Sequence, residues 1–289
     1  MSQQDVEFKT MDGVTLRGRM YIASSRGPGI VMSPGFNAVK EMVGLPNVAV
    51  AFQQSGITVL MYDPRTTGLS DGEPRNDIDP FTQIDDYSDA LSFLAVHPMV
   101  DQTRMGIWGM SLSGAVALAC AAVDPRARFV VAICPATVFP FTQAKIPSVL
   151  GKAAKDRESQ LKGNDPFYLP MLNGAGDNPA GANLGIDKDA ALRIISAQDE
   201  SIPTRQALAA NHVNRTTIQS YRKLVMWNPT PIYRHLAVPV MFVVPELDQL
   251  FPAAEQQQTF KNLPGTMNQV HVEPGVAHMD VLEGSICRI

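Results

Sequence analysis

The chain has 289 residues, 45% of them hydrophobic and 18% charged, which is enough apolar mass to bury one large core. A formal net charge of −4 without any basic run argues against nucleic acid and anionic membrane surfaces as partners. Three widely spaced cysteines, Cys120, Cys134 and Cys287, form neither a disulfide framework nor a metal-ligand pattern, and Cys134, at the end of a strand, reads as a buried structural thiol in preference to a residue near the site. The first residues lack both a basic start and an apolar stretch, and nowhere do about 18 apolar residues run together, so a cytoplasmic protein is the expectation.

In chain order, residues 6–9 and 14–22 read as two antiparallel strands joined by Met11-Asp-Gly13. A strand at 29–33 follows and runs into Ser33-Pro-Gly-Phe36. A helix is expected over 40–55 and a strand over 57–62, ending in Asp63-Pro-Arg-Thr-Thr-Gly-Leu-Ser-Asp-Gly72. Residues 84–96 have the apolar spacing of an amphipathic helix. Then come a strand at 104–108, a helix at 112–122, and strands at 129–134, 239–244 and 269–272. Strands followed by helices in this order imply a mostly parallel sheet flanked by helices.

Residues 140–230 break the pattern. They contain no strong buried strand, two loop-like stretches (Gly163-Asn-Asp-Pro166 and Asn173-Gly-Ala-Gly-Asp-Asn-Pro179), and helical segments near 190–197 and 202–221. The chain therefore divides into a core of residues 1–139 and 231–289 and a lid of residues 140–230. Phe139, Phe141, Phe167, Tyr168, Met171, Leu172, Tyr221, Met226 and Trp227 either line an apolar pocket or pack the lid onto the core.

The chemistry centres on Met105-Gly-Ile-Trp-Gly-Met-Ser-Leu-Ser-Gly-Ala-Val-Ala-Leu-Ala119, which puts a serine on a tight turn between an apolar strand and a small-residue helix. Such a turn exposes the Ser111 hydroxyl, while Gly109, Ser113 and Gly114 let the backbone pass close behind it. A serine hydroxyl is a weak nucleophile near neutral pH. It needs an imidazole to take its proton and a carboxylate to hold that imidazole in the right tautomer. Asp248, just after the strand at 239–244, stands where the acid belongs; helix capping is its alternative role and Glu246 the substitute acid. His278, delivered by the turn Glu273-Pro-Gly-Val-Ala-His278, is the base. His271, His97, His212 and His235 read as packing or solvent-facing residues. Backbone N–H groups of Phe36 and Leu112 are the expected oxyanion donors. No cofactor is needed. Asp63 and Arg65 are expected to organise their loop through a salt bridge, and Lys40 and Glu41 to fix the loop or cap the helix that follows.

The runs Ser33-Pro-Gly-Phe-Asn-Ala-Val-Lys-Glu-Met42, Tyr62-Asp-Pro-Arg-Thr-Thr-Gly-Leu-Ser-Asp-Gly-Glu-Pro74, Ile107-Trp-Gly-Met-Ser-Leu-Ser-Gly114 and Tyr221-Arg-Lys-Leu-Val-Met-Trp-Asn-Pro229 resemble the polyketide transferase-like α/β-hydrolases of fungal secondary-metabolite gene clusters. The resemblance spans nearly the whole chain. It implies an α/β-hydrolase fold with a helical lid and a serine hydrolase or acyltransferase acting on a polyketide-derived acyl thioester or ester. Non-hydrolytic cyclisation or an aldol/Knoevenagel-type condensation is the alternative chemistry. The partner is a small-molecule acyl substrate, with delivery by a carrier protein of a polyketide synthase and homo-oligomerisation both open.

Overall fold

Alternation along the central strands decides the layering of the molecule. In β3 (Gly27–Ser33), β4 (Thr58–Tyr62) and β5 (Val100–Met110), Val31, Leu60, Tyr62, Met105 and Ile107 enter one apolar cluster. Their neighbours Ile30, Met32, Val59, Met61, Trp108 and Met110 enter another. Helix α1 (Leu45–Gln54) covers the second cluster with Leu45, Val48 and Ala49. Helices α2 (Pro80–Ala95) and α3 (Leu112–Val123) cover the first. Strands buried on both faces must carry continuous apolar runs, which is the pattern of the sequence here.

The computed structural model describes residues 2–42, 44–175, 177–182 and 211–282. The remaining strands are β1 (Ser2–Lys9), β2 (Thr15–Ile22), β6 (Ala127–Ile133), the short β7 (Tyr168–Leu169) and β8 (Thr216–Thr217), β9 (Val240–Pro245) and β10 (Gln269–Glu273). Eight strands form one sheet in the order β1-β2-β4-β3-β5-β6-β9-β10. Pairing is antiparallel at β1–β2 and β2–β4 and parallel elsewhere, so the carboxyl ends of β3, β5, β6, β9 and β10 open on one edge. In open α/β sheets that edge is where ligands bind. This is the expected α/β-hydrolase architecture.

Strands β1 and β5 start about four residues earlier than expected, and two helix starts differ for identifiable reasons. Helix α1 starts at Leu45, not near residue 40, because Gly44 takes a positive φ of 89° and a proline occupies the first turn. Helix α2 starts earlier, at Pro80, where the Asp79 side chain accepts a hydrogen bond from the Phe81 N–H.

The segment inserted between β6 and β9 carries α4 (Ile146–Gln160), the antiparallel β7–β8 pair, α5 (Ile218–Met226) and α6 (Thr230–Tyr233). The sequence gives no warning of α4, since only Val149, Ala153 and Asp156 on it are buried. Of the helical stretch expected over 202–221, residues 211–217 are turn and strand and only α5 is helix; residues 183–210 and Cys287 lie outside the described residues. Asp156 joins α4 to α5 by accepting from Gln219 Nε2 at 2.6 Å and also accepts from the Phe167 N–H at 2.7 Å. Lys223 on α5 pairs with Asp77 at 2.6 Å, and Trp227 Nε1 donates to the Ala136 carbonyl at 3.1 Å, which ties the insertion to the core. Helix α7 (Ala253–Lys261) packs beside β9. Among the described residues no helix is long and apolar enough to cross a membrane.

Candidate active site

Ser111 ends up where strand β5 stops and helix α3 begins, with φ 57° and ψ −122°. A non-glycine residue in that conformation is strained and persists only where its surroundings impose it. They do so by close packing. A Cβ on Gly109 would run into the Ser113 carbonyl, and one on Gly114 would lie 3.1 Å from the carbonyl oxygens of Gly109 and Ile133. Ser113 contributes more than small size: its hydroxyl donates to the Ser33 carbonyl at 2.7 Å and accepts from the Met110 N–H at 2.9 Å, pinning the turn to β3. Ser113→Ala removes both of these bonds from the buried turn. It is expected to lower stability by about 1–3 kcal/mol in denaturant unfolding.

The turn after β3 lies against this elbow. A Cβ on Gly35 would be 3.2 Å from the Ser111 Cβ and 3.9 Å from the Leu112 nitrogen, so the chain that carries Phe36 passes directly beside the first N–H of α3. That N–H has no acceptor within its own helix. The turn is held from behind by Lys40. Its Nζ lies 2.8 Å from both Asp63 and Glu41, and its own N–H donates to Asp63 at 2.7 Å. Burial works against the Lys40 ammonium, but the two carboxylates outweigh it and raise its pKa. The expected Asp63–Arg65 salt bridge is therefore replaced by Asp63–Lys40, and Arg65 pairs instead with Asp86 and Asp12. Lys40 does fix a loop, as expected, and caps no helix.

Asp248 follows β9 and its carboxylate is fully enclosed. One oxygen accepts from the Leu250 and Phe251 N–H groups, both at 2.9 Å. The other lies 2.9 Å from His278 Nδ1 and accepts from Gln256 Nε2 at 2.9 Å. Glu246 is spent elsewhere, accepting from the Gly275 N–H, and does not reach His278. His278 is buried, with its ring beside Phe251. Burial disfavours the charged ring, but the Cys134 sulfur and the Asp248 carboxylate more than offset it, so the His278 pKa lies above the ordinary range. The Asp248 carboxylate beside Nδ1 stabilises the imidazolium that forms when the ring takes a proton.

Nε2 of His278 lies 3.9 Å from Cys134 Sγ, and no hydrogen bond joins it to Ser111 in this arrangement. Cys134 is buried and also beside the site, so both of its expected placements hold. Ligand atoms of Cys134, Asp248 and His278 lie within 4.8 Å of one another. With both Asp248 oxygens already taken by four donors, the trio reads as a hydrogen-bonded array and not as a metal cradle.

Ser111 and His278 meet in one cavity of about 880 Å³, measured out to its open mouth. Four methionines, Met42, Met110, Met171 and Met279, share its wall with Phe36, Phe139, Leu45, Leu250, Phe251 and Leu282. Polar side chains in the lining are few: Asn37, Ser111, His212 and His278. Of the residues offered as pocket lining or lid packing, Phe139 and Met171 line the cavity, and Phe141 packs against Phe139 and Tyr221. Tyr221 and Trp227 are buried packing, Phe167 and Met226 are exposed, and neither Tyr168 nor Leu172 lines this cavity. His271 pairs with Glu273 at 2.7 Å on a partly exposed strand, and His97 and His235 stay in their local turns, as read. His212 is the one among them that packs in the interior, buried in the cavity wall. The sequence offered no signal for it, because its placement rests on contacts with Asn37, far away in the chain.

Comparison with known proteins agrees with this picture. Residues 30–284 match the family model described as serine aminopeptidase, S33. A thiohydrolase of Eupenicillium brefeldianum is 46% identical over 98% of this chain and 89% of its own length. A polyketide transferase of Aspergillus fumigatus is 39% identical over 98% of this chain and 93% of its own. Among solved structures, DcsB in complex with its substrate analogue superposes with a TM-score of 0.87 at 38% identity, covering 98% of this chain and 94% of that one. The alpha/beta hydrolase GrgF from Penicillium sp. sh18 gives 0.86 at 36% identity, covering 99% and 94%.

Proposed function

The chain belongs to the serine aminopeptidase S33 family of α/β-hydrolases, and from that premise we propose that it transfers or hydrolyses a polyketide-derived acyl group through an acyl-Ser111 intermediate. The observation that carries this is the shared cavity: Ser111 on its elbow and His278 held by Asp248 open onto one largely apolar space. Ser111 Oγ attacks the carbonyl of an acyl thioester or ester as His278 takes its proton. Asp248 keeps Nδ1 protonated and stabilises the imidazolium. The N–H groups of Phe36 and Leu112 receive the oxyanion. Collapse of the tetrahedral intermediate forms the acyl-serine ester and expels the thiol or alcohol, protonated by His278. Water, an alcohol or an amine then takes the acyl group by the same steps in reverse.

Substrate class follows from the lining. Methionines give an apolar wall that adapts to an extended, flexible chain. Among the described lining residues there is no carboxylate to pair an α-ammonium, so the aminopeptidase chemistry in the family's name finds no anchor here. Relatives named thiohydrolase and polyketide transferase support a thioester donor, delivered free or on a carrier protein. The inserted segment, residues 140–230, acts as the lid and contributes Met171 and His212 to the cavity. A condensation catalysed by His278 as base toward an enolate is the second reading, favoured by Nε2 lying beside Cys134 with no hydrogen bond to Ser111.

Intact-protein mass spectrometry after brief exposure to acyl N-acetylcysteamine thioesters tests the proposal. The wild type is expected to gain the acyl mass, Ser111→Ala to gain none, and the variant's kcat to fall by about 10⁴–10⁶-fold. An adduct that persists in Ser111→Ala moves the nucleophile to Cys134. Failure of the wild type with both thioesters and a fluorophosphonate moves the chemistry to condensation.

A further inference from the structure

Helix α7 carries three glutamines in succession, Gln256, Gln257 and Gln258, and of its residues Gln256 alone is buried, at 3% exposure. Burying an amide is unfavourable unless its hydrogen bonds are replaced, and a methionine would fill the same space without that penalty. Here the replacement is incomplete. Nε2 uses both of its hydrogens, donating to Asp248 at 2.9 Å and to the Phe251 carbonyl, while Oε1 is buried with no partner. Both facing groups are acceptors, so the surroundings fix which end of the amide points at them. A polar side chain is thus kept in an unfavourable place, and that place is against the acid of the proposed triad.

What the contact does follows from the oxygen it reaches. Gln256 Nε2 and His278 Nδ1 share one oxygen of Asp248, and the Leu250 and Phe251 N–H groups share the other. The two backbone donors hold only their own oxygen, about which the carboxylate can pivot. Gln256 removes that freedom by holding the oxygen that faces the imidazole. The same amide nitrogen grips the Phe251 carbonyl, so it also fixes the loop whose Leu250 and Phe251 form part of the cavity wall. The Phe251 ring in turn lies beside the His278 ring, with centroids 5.5 Å apart.

We propose that Gln256 is a positioning residue that keeps the Asp248 carboxylate in register with His278 Nδ1, and through it keeps Nε2 as the base. The inference rests on the acyl-transfer reading for its rates and on the Asp248–His278 contact alone for its spectroscopy.

The experiment compares wild type, Gln256→Met, Gln256→Glu and, as a surface control, Gln258→Met. Gln256→Met keeps the volume and removes both donors. It is expected to lower kcat on an acyl thioester by about 10- to 100-fold with KM within about 3-fold of wild type, because the cavity stays and the base is misaligned. Gln256→Glu adds a pH signature. As a neutral acid the introduced carboxyl can donate to Asp248, but once ionised it only repels it, so this variant's deficit should widen as pH rises. Gln258→Met should match wild type throughout.

A second arm needs no turnover. In protein with isotopically labelled histidine, nitrogen–proton correlations follow the tautomer and charge of His278 across pH, its signals being identified by their loss in His278→Ala. The ionisable groups facing the ring are Cys134, after β6, and Asp248, after β9. Burial pulls the His278 pKa down, and these two groups hold it above the ordinary range. A carboxylate out of register gives up part of that support. In Gln256→Met the midpoint should therefore fall, and the neutral ring should lose its exclusive Nδ1–H form. Gln256→Glu, close to glutamine in shape, supplies the same readouts if the methionine variant does not fold. If wild type turns over no thioester, the acyl-transfer reading fails while the spectroscopy still decides this one. An unmoved His278 midpoint and tautomer in Gln256→Met overturns the proposal, as does a kcat within about 3-fold of an active wild type.

Discussion

Asp248→Asn is expected to lower kcat on an acyl thioester by about 10⁴-fold while the protein stays folded. The cause is the direction of one hydrogen bond. In the wild type a carboxylate oxygen faces Nδ1 of His278, so Nδ1 carries the proton and Nε2 is free to act as base. An asparagine must present its amide nitrogen on one side. Its oxygen is best placed toward the Leu250 and Phe251 N–H groups, which have no alternative acceptor there. The amide nitrogen then faces Gln256 and His278. Turning the Gln256 amide to accept from it would break the hydrogen bond that Gln256 Nε2 donates to the Phe251 carbonyl. His278 can satisfy the new donor only by accepting at Nδ1, which moves the ring proton to Nε2 and removes the base. Rate on a thioester substrate, with near-ultraviolet circular dichroism as the control for folding, checks this. A loss under about 10-fold with the fold intact would mean that Asp248 does not set the tautomer.

How much of this was legible in the sequence depended on the reach of each interaction. The elbow is local: Gly109, Ser111, Ser113 and Gly114 lie within one strand-to-helix turn, and the required small residues can be read in order. Asp248 and His278 were readable because each follows a strand rich in β-branched residues and sits in a turn that proline and glycine mark. Their meeting needs only that β9 and β10 be parallel neighbours, which they are. Helix α4 was missed because its three buried positions leave too weak an apolar stripe to register. Asp63 was given the wrong partner because Arg65 is two residues away, whereas Lys40 reaches it only once β3 and β4 pair. Which of its two expected roles His212 takes depends on reach in the same way. A histidine in unpatterned sequence looks bland until the insertion folds back and sets the residue beside it, Val213, against Asn37. Cys134 was placed correctly in the interior, but its position 3.9 Å from His278 depended on the turn at the end of β6, where it adopts φ 37°.

The second large effect is expected at Asp63, remote from any reacting atom. Its carboxylate accepts from Lys40 Nζ, from the Lys40 N–H and from the Leu69 N–H, and it is completely buried. Asp63→Ala removes three acceptor contacts and leaves the Lys40 ammonium, itself only 3% exposed, with Glu41 alone. Removing one partner of a buried ion pair costs about 3–5 kcal/mol. Lys40→Met is expected to cost less, about 1–2 kcal/mol, because Asp63 retains its two backbone donors and the methionine fills the same space. The two variants should also part company in rate. The Lys40 N–H anchors the turn that begins at Ser33 and carries Phe36, so Asp63→Ala frees that turn while Lys40→Met leaves its backbone anchor in place. Under the proposed mechanism a misplaced oxyanion donor costs about 10²-fold or more in kcat, so Asp63→Ala should show a kcat loss beyond its loss of folded protein and Lys40→Met should not. Denaturant unfolding gives the stabilities, and active-site titration with a fluorophosphonate normalises the rates to competent enzyme. Equal kcat in the two variants after that correction would mean that the Lys40–Asp63 pair supports the fold alone and has no hand in shaping the oxyanion turn.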